Sequence, residues 1–198
     1  MRAGKRYFDC LVCVLGLAIC SPLFLLIALA IKLGDGGSVF FRQERVGQSG
    51  KPFRIWKFRT MIKDADRLGP PLTVGRDARI TRVGLWLRKC KLDELPQLFN
   101  VIAGEMSLVG PRPEVVRYVS QYNNHQQRVL DLVPGITDPA SVAYRAENDL
   151  LARSSDPERL YLEKIMPDKI RINIEYAQCA TLWSDIKVIL QTIFNILV

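Results

Sequence analysis

The sequence has a single histidine, His125, among 198 residues, and its five cysteines are an odd number. Cys10 and Cys13 have metal-like spacing, but with Cys20, Cys90 and Cys179 as the other thiols no four-ligand zinc set can be assembled. The cysteines read instead as small apolar residues, three of them inside one apolar run. Nothing marks an oxidised, secreted domain. No internal repeat, low-complexity stretch or second globular domain is apparent. No A-x-A site follows the apolar run, and the run is longer than the ~7–15 residues of a signal-peptide core, so a cleaved leader is not expected. Leu17-Ala18-Ile19-Cys20 faintly resembles a lipoprotein cleavage box. Ile19 stands where a small residue is wanted, and the apolar stretch continues past Cys20.

What is there is a 22-residue apolar run over residues 10–31, broken in its middle by Ser21-Pro22. Roughly 20 apolar residues suffice to cross a membrane. Pro22, however, has no N–H, and its ring clashes with the carbonyl of residue 18. The Ser21 hydroxyl can serve a carbonyl freed by such a kink, which makes the break tolerable in lipid. Basic residues mark the cytoplasmic side of a membrane segment. Here Arg2, Lys5 and Arg6 precede the run and Lys32 follows it. A helix-break-helix that enters and leaves the same leaflet satisfies both flanks. The expectation is a re-entrant membrane segment over residues 1–33 and a domain over residues 34–198 at the cytoplasmic face.

The net charge of +8 is unevenly placed. Residues 34–92 carry 14 basic and 5 acidic side chains, while residues 93–198 carry 10 basic and 14 acidic ones. A basic middle next to a membrane segment suits anionic phospholipid headgroups, each nearby Lys or Arg contributing about 1 kcal/mol. It equally suits a phosphorylated substrate. Nucleic acid is the other habitual reading of basic charge, but no nucleic-acid module accompanies it, so nucleic acid is not expected as a partner.

The fold class expected is α+β, mainly α. Val- and Phe-rich residues 38–46 and residues 53–61 flank Gly47-Gln48-Ser49-Gly50 and read as a small β-hairpin. Residues 64–79, with Gly69-Pro70-Pro71 and Gly75, read as loop with one short helix. From Thr81 the pattern turns helical, with Val83, Trp86 and Leu87 on one face. A second helix is expected over residues 95–103, ended by Gly104. Gly110-Pro111-Arg112-Pro113 reads as a rigid loop opening a helix from Glu114, and Pro134-Gly135 breaks the chain again. Helices follow near 157–165, 167–180 and 182–197. The last is apolar with polar residues interspersed, and it fits either the core or the membrane interface as an amphipathic helix.

The chemistry concentrates in Lys89-Cys90-Lys91-Leu92-Asp93-Glu94-Leu95-Pro96-Gln97. The structural reading makes Asp93 an N-cap and Pro96 a first-turn residue. The functional reading is compatible with it. A carboxylate at a helix N-terminus is favoured in its ionised form, and an ordinary Asp, with a pKa of ~3.9, is ionised at neutral pH. Such a carboxylate can attack phosphorus to form an acyl phosphate. Adjacent helical residues point about 100° apart, so Asp93 and Glu94 need not share one job. One can attack while the other holds a metal or moves a proton; Mg2+ binds through one or two carboxylates plus phosphate oxygens. Arg112, held between two prolines, can fork onto a phosphate. Its structural alternative is a salt bridge to Glu105 or Glu114. Lys57 and Arg59 on the hairpin, and Arg88 before the acid pair, add charge. For Lys57 and Arg59 the alternative is a solvated or lipid-facing strand.

Five pieces in order carry a resemblance: Ser21-Pro22, Phe41-Arg42-Gln43-Glu44-Arg45-Val46-Gly47, Lys57-Phe58-Arg59-Thr60-Met61, Leu92-Asp93-Glu94-Leu95-Pro96-Gln97, and Gly104-Glu105-Met106-Ser107-Leu108-Val109-Gly110-Pro111-Arg112-Pro113. The chain resembles the bacterial sugar transferase family, the monotopic phosphoglycosyl transferases. That resemblance implies transfer of a sugar-1-phosphate from a UDP-sugar to polyprenyl phosphate (undecaprenyl phosphate) at the bacterial inner membrane, with UMP released. It implies that Asp93 attacks the phosphorus next to the sugar with Mg2+ assisting, and that Glu94 is its partner. Lys57, Glu105 and Arg112 match further charged positions of the family, Glu105 in a supporting role. It also implies a re-entrant N-terminal helix and interfacial helices. After Pro134-Gly135-Ile136-Thr137 the chain reads Asp138-Pro139-Ala140-Ser141-Val142-Ala143-Tyr144-Arg145, where many members continue with a Gly and then Gln-Val-x-Gly-Arg. The departure leaves the sugar unassigned. A basic membrane-anchored scaffold, or a phosphohydrolase with water as acceptor, are the competing expectations.

Overall fold

The structure is a computed structural model that describes residues 3–65 and 77–197. Most of the loop expected over residues 64–79, with its Gly69-Pro70-Pro71 and Gly75, lies outside the described residues. The chain is mainly helical with two small sheets.

Helix α1 (Ala3–Asp35) is one 33-residue helix. The expected break at Ser21-Pro22 does not interrupt it. A helical N–H at position 22 would have donated to the Ala18 carbonyl. Pro22 has none, and the Ser21 hydroxyl donates to that carbonyl instead, at 2.8 Å. One face of α1 is buried through Asp9, Cys13, Ile27 and Ile31. The other presents Leu25, Leu26, Leu29 and Leu33 to the outside. Among the described residues α1 is the one helix long and apolar enough to cross a membrane.

Strands β1 (Phe40–Val46) and β2 (Pro52–Phe58) form the expected hairpin, antiparallel with Phe40 opposite Phe58 and Val46 opposite Pro52. Its turn needs positive φ at Ser49 and Gly50. Helix α2 (Arg82–Lys89) starts where the sequence predicts, with the Thr81 hydroxyl accepting from the Gly84 N–H at 2.9 Å. Its inner face is Gly84 and Leu87, while Trp86, expected inside, is 53% exposed beside Leu85. Gly84 lies against the Thr60 backbone so closely that a Cβ there would come within 2.0 Å of the Thr60 carbonyl oxygen. That contact rolls α2 until Trp86 faces out.

Helix α3 (Leu98–Ala103) ends at Gly104, whose φ of 87° is the left-handed helix stop expected. Strand β3 (Ser107–Val109) pairs in parallel with β4 (Gly135–Thr137), a second small sheet that the sequence pattern did not reveal. Between and after them lie α4 (Val116–Val119), α5 (Asn124–Gln127), α6 (Pro139–Ala143), α7 (Glu147–Ala152) and α8 (Pro157–Leu160). A π-turn over Tyr161–Ile165 joins α8 to α9 (Met166–Cys179), and α10 (Leu182–Leu197) closes the chain.

Three apolar clusters hold these elements. Phe58 and Leu87 pack against Ile27 and Ile31 of α1; Ile55, Val101, Met106 and Val188 pack around Cys13 of α1; Tyr118, Leu151, Tyr161 and Ile170 form a third core in the α4–α9 lobe. Helix α10 divides between its two expected roles. Val188 and Asp185 are buried, whereas Trp183, Leu190 and Phe194 stand 75%, 60% and 62% exposed.

Polar ties fasten the start of α1 to the rest. Lys5 pairs with Asp185 of α10 at 2.5 Å, and the Tyr176 hydroxyl donates to the same carboxylate at 2.6 Å. Arg6 donates to the Val101 carbonyl and, at 2.9 Å, to the Ile102 carbonyl, satisfying the end of α3. The Ser107 hydroxyl of β3 donates to the buried Asp9 carboxylate at 2.6 Å.

Candidate active site

The acid pair sits in a 3-10 turn, Leu92–Gln97, between α2 and α3. Asp93 is not the N-cap that spacing allowed. Lys91 takes the cap position in the left-handed conformation, with φ 55°, and no side chain caps the turn. Asp93 is therefore free of that structural duty.

The two carboxylates live in opposite environments. Glu94 Oε1 accepts from Lys57 Nζ at 2.9 Å and from Arg112 Nη2. Its Oε2 accepts from Arg112 Nη1 at 3.0 Å, which completes a bidentate fork. Burial works to raise the Glu94 pKa, but Arg112 and Lys57 outweigh it and hold the group well below the usual carboxylate range. Asp93, only 7% exposed, accepts no hydrogen bond and forms no ion pair among the described residues. Burial first, and then the neighbouring Glu94 charge, push its pKa up, against Lys57 and Arg88. Burial pushes the Lys57 ammonium down, opposed by Glu94.

Each cation is brought in by a separate element. Lys57 comes from β2, which Asn100 of α3 pins in place. The Asn100 side chain accepts from the Trp56 N–H at 2.9 Å and donates to the Arg54 carbonyl at 2.9 Å. It also donates to Glu105 at 2.7 Å, so Glu105 braces Asn100 and does not reach the acid pair. Arg88, in the last turn of α2, donates from Nε to the Thr60 hydroxyl at 2.9 Å. Arg112 comes from the proline-framed loop after β3, and its partner is Glu94, not the Glu105 or Glu114 that sequence proximity offered. Arg45 of β1 fastens that loop. It donates to the Pro113 carbonyl at 3.2 Å and lies 3.6 Å from the Glu114 carboxylate, which also accepts from the Tyr161 hydroxyl. Arg45, Thr60 and Asn100 were assigned no role from sequence. The signal for Arg45 and Thr60 was their place in motifs already noted, but only the pairing of distant elements gives them partners.

Asp93, Glu94, Lys57 and Arg88 all face one cleft of about 1030 Å³. Arg42, stacked 4.4 Å over Trp56, Arg45 and Lys91 extend its basic wall, and Asn148 and Asp149 of α7 line it as well. Arg112, whose side chain is one-third exposed, joins the site through Glu94. No group of three or more His, Cys, Asp or Glu side chains able to hold a metal occurs among the described residues. Of the carboxylates that line the cleft, Asp93 and Glu94 are the adjacent pair that could offer oxygens to a hard cation. Asp93 has its oxygens open, whereas Glu94 is occupied by two cations. The pair suits Mg2+, which takes few protein ligands and fills its shell with water and phosphate oxygens. Chemically, an unpaired carboxylate beside a basic cleft is equipped to attack an electrophile whose leaving group is an anion.

The profile of the bacterial sugar transferase family matches residues 1–198. The chain is 38% identical over 199 residues to a UDP-glucose:undecaprenyl-phosphate glucose-1-phosphate transferase of Escherichia coli (strain K12), covering 98% of this chain and 40% of the relative. It is 38% identical over 197 residues to a UDP-N-acetylgalactosamine-undecaprenyl-phosphate N-acetylgalactosaminephosphotransferase of Aeromonas hydrophila, covering 98% of this chain and 43% of the relative. It is 35% identical over 205 residues to the exopolysaccharide production protein ExoY of Rhizobium meliloti (strain 1021), covering 96% of this chain and 84% of that relative. The chain spans about two fifths of the length of the first two.

Proposed function

The chain belongs to the bacterial sugar transferase family, and from that premise we propose that it transfers a sugar-1-phosphate from a UDP-sugar to polyprenyl phosphate. The reading rests above all on Asp93: a buried carboxylate with no hydrogen-bond or ion-pair partner among the described residues, beside a Glu94 held by Lys57 and Arg112, at the edge of a basic cleft. An Asp93 oxygen attacks the phosphorus that carries the sugar, and the bond from that phosphorus to the bridging oxygen breaks. UMP leaves with the bridging oxygen. A phosphate oxygen of the polyprenyl acceptor then attacks the same phosphorus, and the Asp93 carboxylate is released. The products are polyprenyl diphosphate sugar and UMP.

Mg2+, when bound through the acid pair, would screen the charge that gathers on the phosphate oxygens. The chain's own groups do the rest. Burial of Asp93 keeps its carboxylate poorly solvated and hence reactive. Arg88 and Lys57 lower the cost of bringing an anionic substrate against an anionic nucleophile. The exposed apolar faces of α1 and α10 support a seat in the cytoplasmic leaflet of the bacterial inner membrane. With Lys5 and Lys32 both on the cytoplasmic side, the uninterrupted α1 would dip into one leaflet at an angle without crossing it. Modification of both flanks from that side alone is the expected probe result, and an external N-terminus would sink the topology.

The chemical test is direct. Protein incubated with UDP-glucose or UDP-N-acetylgalactosamine and Mg2+, without acceptor, is expected to gain one phosphosugar mass, mapped by peptide analysis to Asp93. Absence of the adduct under conditions that release UMP once polyprenyl phosphate is added would overturn the covalent mechanism. Phosphosugar released always as free product would favour a phosphohydrolase. No UMP release with any UDP-sugar would favour a scaffold.

A further inference from the structure

We propose that Glu94 is a resident anion: its carboxylate fills the Arg112–Lys57 cradle until a phosphate oxyanion of the nucleotide substrate displaces it. The inference rests on the reading of the cleft as a nucleotide-sugar site and adds to it an exchange that the substrate must perform. Three observations carry it. First, Glu94 meets Arg112 as a phosphate would, two oxygens against two guanidinium nitrogens, and Lys57 Nζ closes the third side. Second, both Glu94 oxygens lie against the Arg112 guanidinium and Glu94 lines the cleft, so an anion entering from the cleft takes that face of the guanidinium only by moving the carboxylate. Third, the Glu94 side chain can turn toward the cleft by rotation about its own bonds, without moving the turn that carries it.

The exchange runs downhill for a diphosphate. A phosphate group offers three acceptor oxygens and more charge than a carboxylate, and Arg and Lys bind it accordingly. The displaced Glu94 oxygens then stand open beside those of Asp93. That is the oxygen pair a divalent cation needs, so nucleotide binding would assemble the metal site as a consequence. Two ligands that favour the same rearranged state bind with positive coupling.

The test measures nucleotide affinity without metal. UDP binding to the full chain in nanodiscs, in EDTA, is followed by calorimetry for the native protein and for Glu94→Gln, Glu94→Asp and Asp93→Asn. A cradle filled nine-tenths of the time weakens apparent affinity about tenfold, so Glu94→Gln is expected to bind UDP about tenfold more tightly. Glu94→Asp keeps the charge but retracts it by one methylene, and binding is expected to tighten about threefold. Asp93→Asn removes an equal charge outside the cradle and should change affinity less than Glu94→Asp does. Equal or weaker binding by both Glu94 variants overturns the exchange, and so does an equal gain in Asp93→Asn, which would reveal a general charge effect. If Glu94→Gln fails to fold, Glu94→Asp alone decides. Pyrophosphate separates the two readings: tightened pyrophosphate binding with no UDP binding keeps the exchange and sinks the nucleotide site. UDP bound alike by all four proteins keeps the site and sinks the exchange.

Discussion

Along α1, Leu25, Leu26, Leu29 and Leu33 each stand more than half exposed, whereas at the turn after α2 Asp93, Glu94 and Lys57 are withdrawn from water. Large apolar side chains exposed in a row and charges placed inside both run against the ordinary distribution of residues. The two regions differ in how they are compensated. Among the described residues nothing covers the leucines. Glu94 has two cations, whereas Asp93 has no hydrogen-bond or ion-pair partner among the described residues. The lesson is that the described residues leave the molecule unbalanced in two chemically opposite ways: the α1 face calls for hydrocarbon, and Asp93 calls for positive charge.

The comparison is broken first by Asp93→Asn. Turnover, read as UMP release, is expected to fall on the order of 10³-fold or more, as when a nucleophile is removed, while flotation with vesicles is unchanged. If flotation fell with it, the two regions would not be separable. Next, Leu25→Lys combined with Leu29→Lys should lower vesicle association about a hundredfold, each lysine costing about 2.5–3.5 kcal/mol at mid-membrane depth and less nearer the surface. Activity toward a short, water-soluble polyprenyl phosphate in detergent should stay within about threefold. Equal loss with that acceptor would mean that α1 does more than hold the enzyme at lipid.

Neighbouring isosteric substitutions should then move stability in opposite directions. Glu94→Gln leaves Lys57 and Arg112 facing a neutral group and should destabilise by about 3 kcal/mol. Asp93→Asn removes an unpaired buried charge and should stabilise by about 1 kcal/mol at pH 7. Thermal melts of both variants decide, and shifts of the same sign would contradict the contrast. The pH dependence has matching signs. The folded-state pKa of Glu94 is depressed, so its contribution is full above the unfolded value of about 4.3 and is lost as pH falls through the folded one. That of Asp93 is raised, so its contribution is present below about 3.9 and lost as pH rises through the folded value. The acid limb of the kcat/KM profile should accordingly lie above the ordinary aspartate range, because reaction of the free enzyme needs Asp93 ionised. A limb at or below about 3.9 would show that Asp93 is not the group observed. The smallest effect is expected at Ser21→Ala, which leaves the Ala18 carbonyl unsatisfied and should cost about 1 kcal/mol, seen as a slightly lower melting temperature in lipid.

Much of this was legible where the signal was local. The hairpin, the start of α2, the stop at Gly104 and the amphipathic α10 follow from residues within a few positions of one another. The parallel β3–β4 pair did not, because two three-residue strands joined through some 25 intervening residues carry no period to read. Trp86 was assigned to the wrong side because the backbone contact at Gly84, not apolar spacing, sets the roll of α2. At the site, the residues could be named but their partners could not. Glu94 meets Lys57 from 37 positions away and Arg112 from 18, and Arg112 had two nearer acids to choose from. The N-cap reading of Asp93 failed for a subtler reason: a left-handed Lys91 starts the turn two residues earlier than the capping pattern assumed.

The Arg6 contact with α3 ties the acid turn to the apolar helix α1. The carbonyls of Val101 and Ile102 end the helix that begins directly after the acid turn, and their donor is supplied by α1 from 95 and 96 positions away. Lys5 and the buried Asp9 lock onto α10 and β3 from the same few turns. A molecule in which α1 is displaced therefore lacks the partner that finishes α3, and whatever lifts α1 from its seat loosens the frame around Asp93 and Glu94 as well.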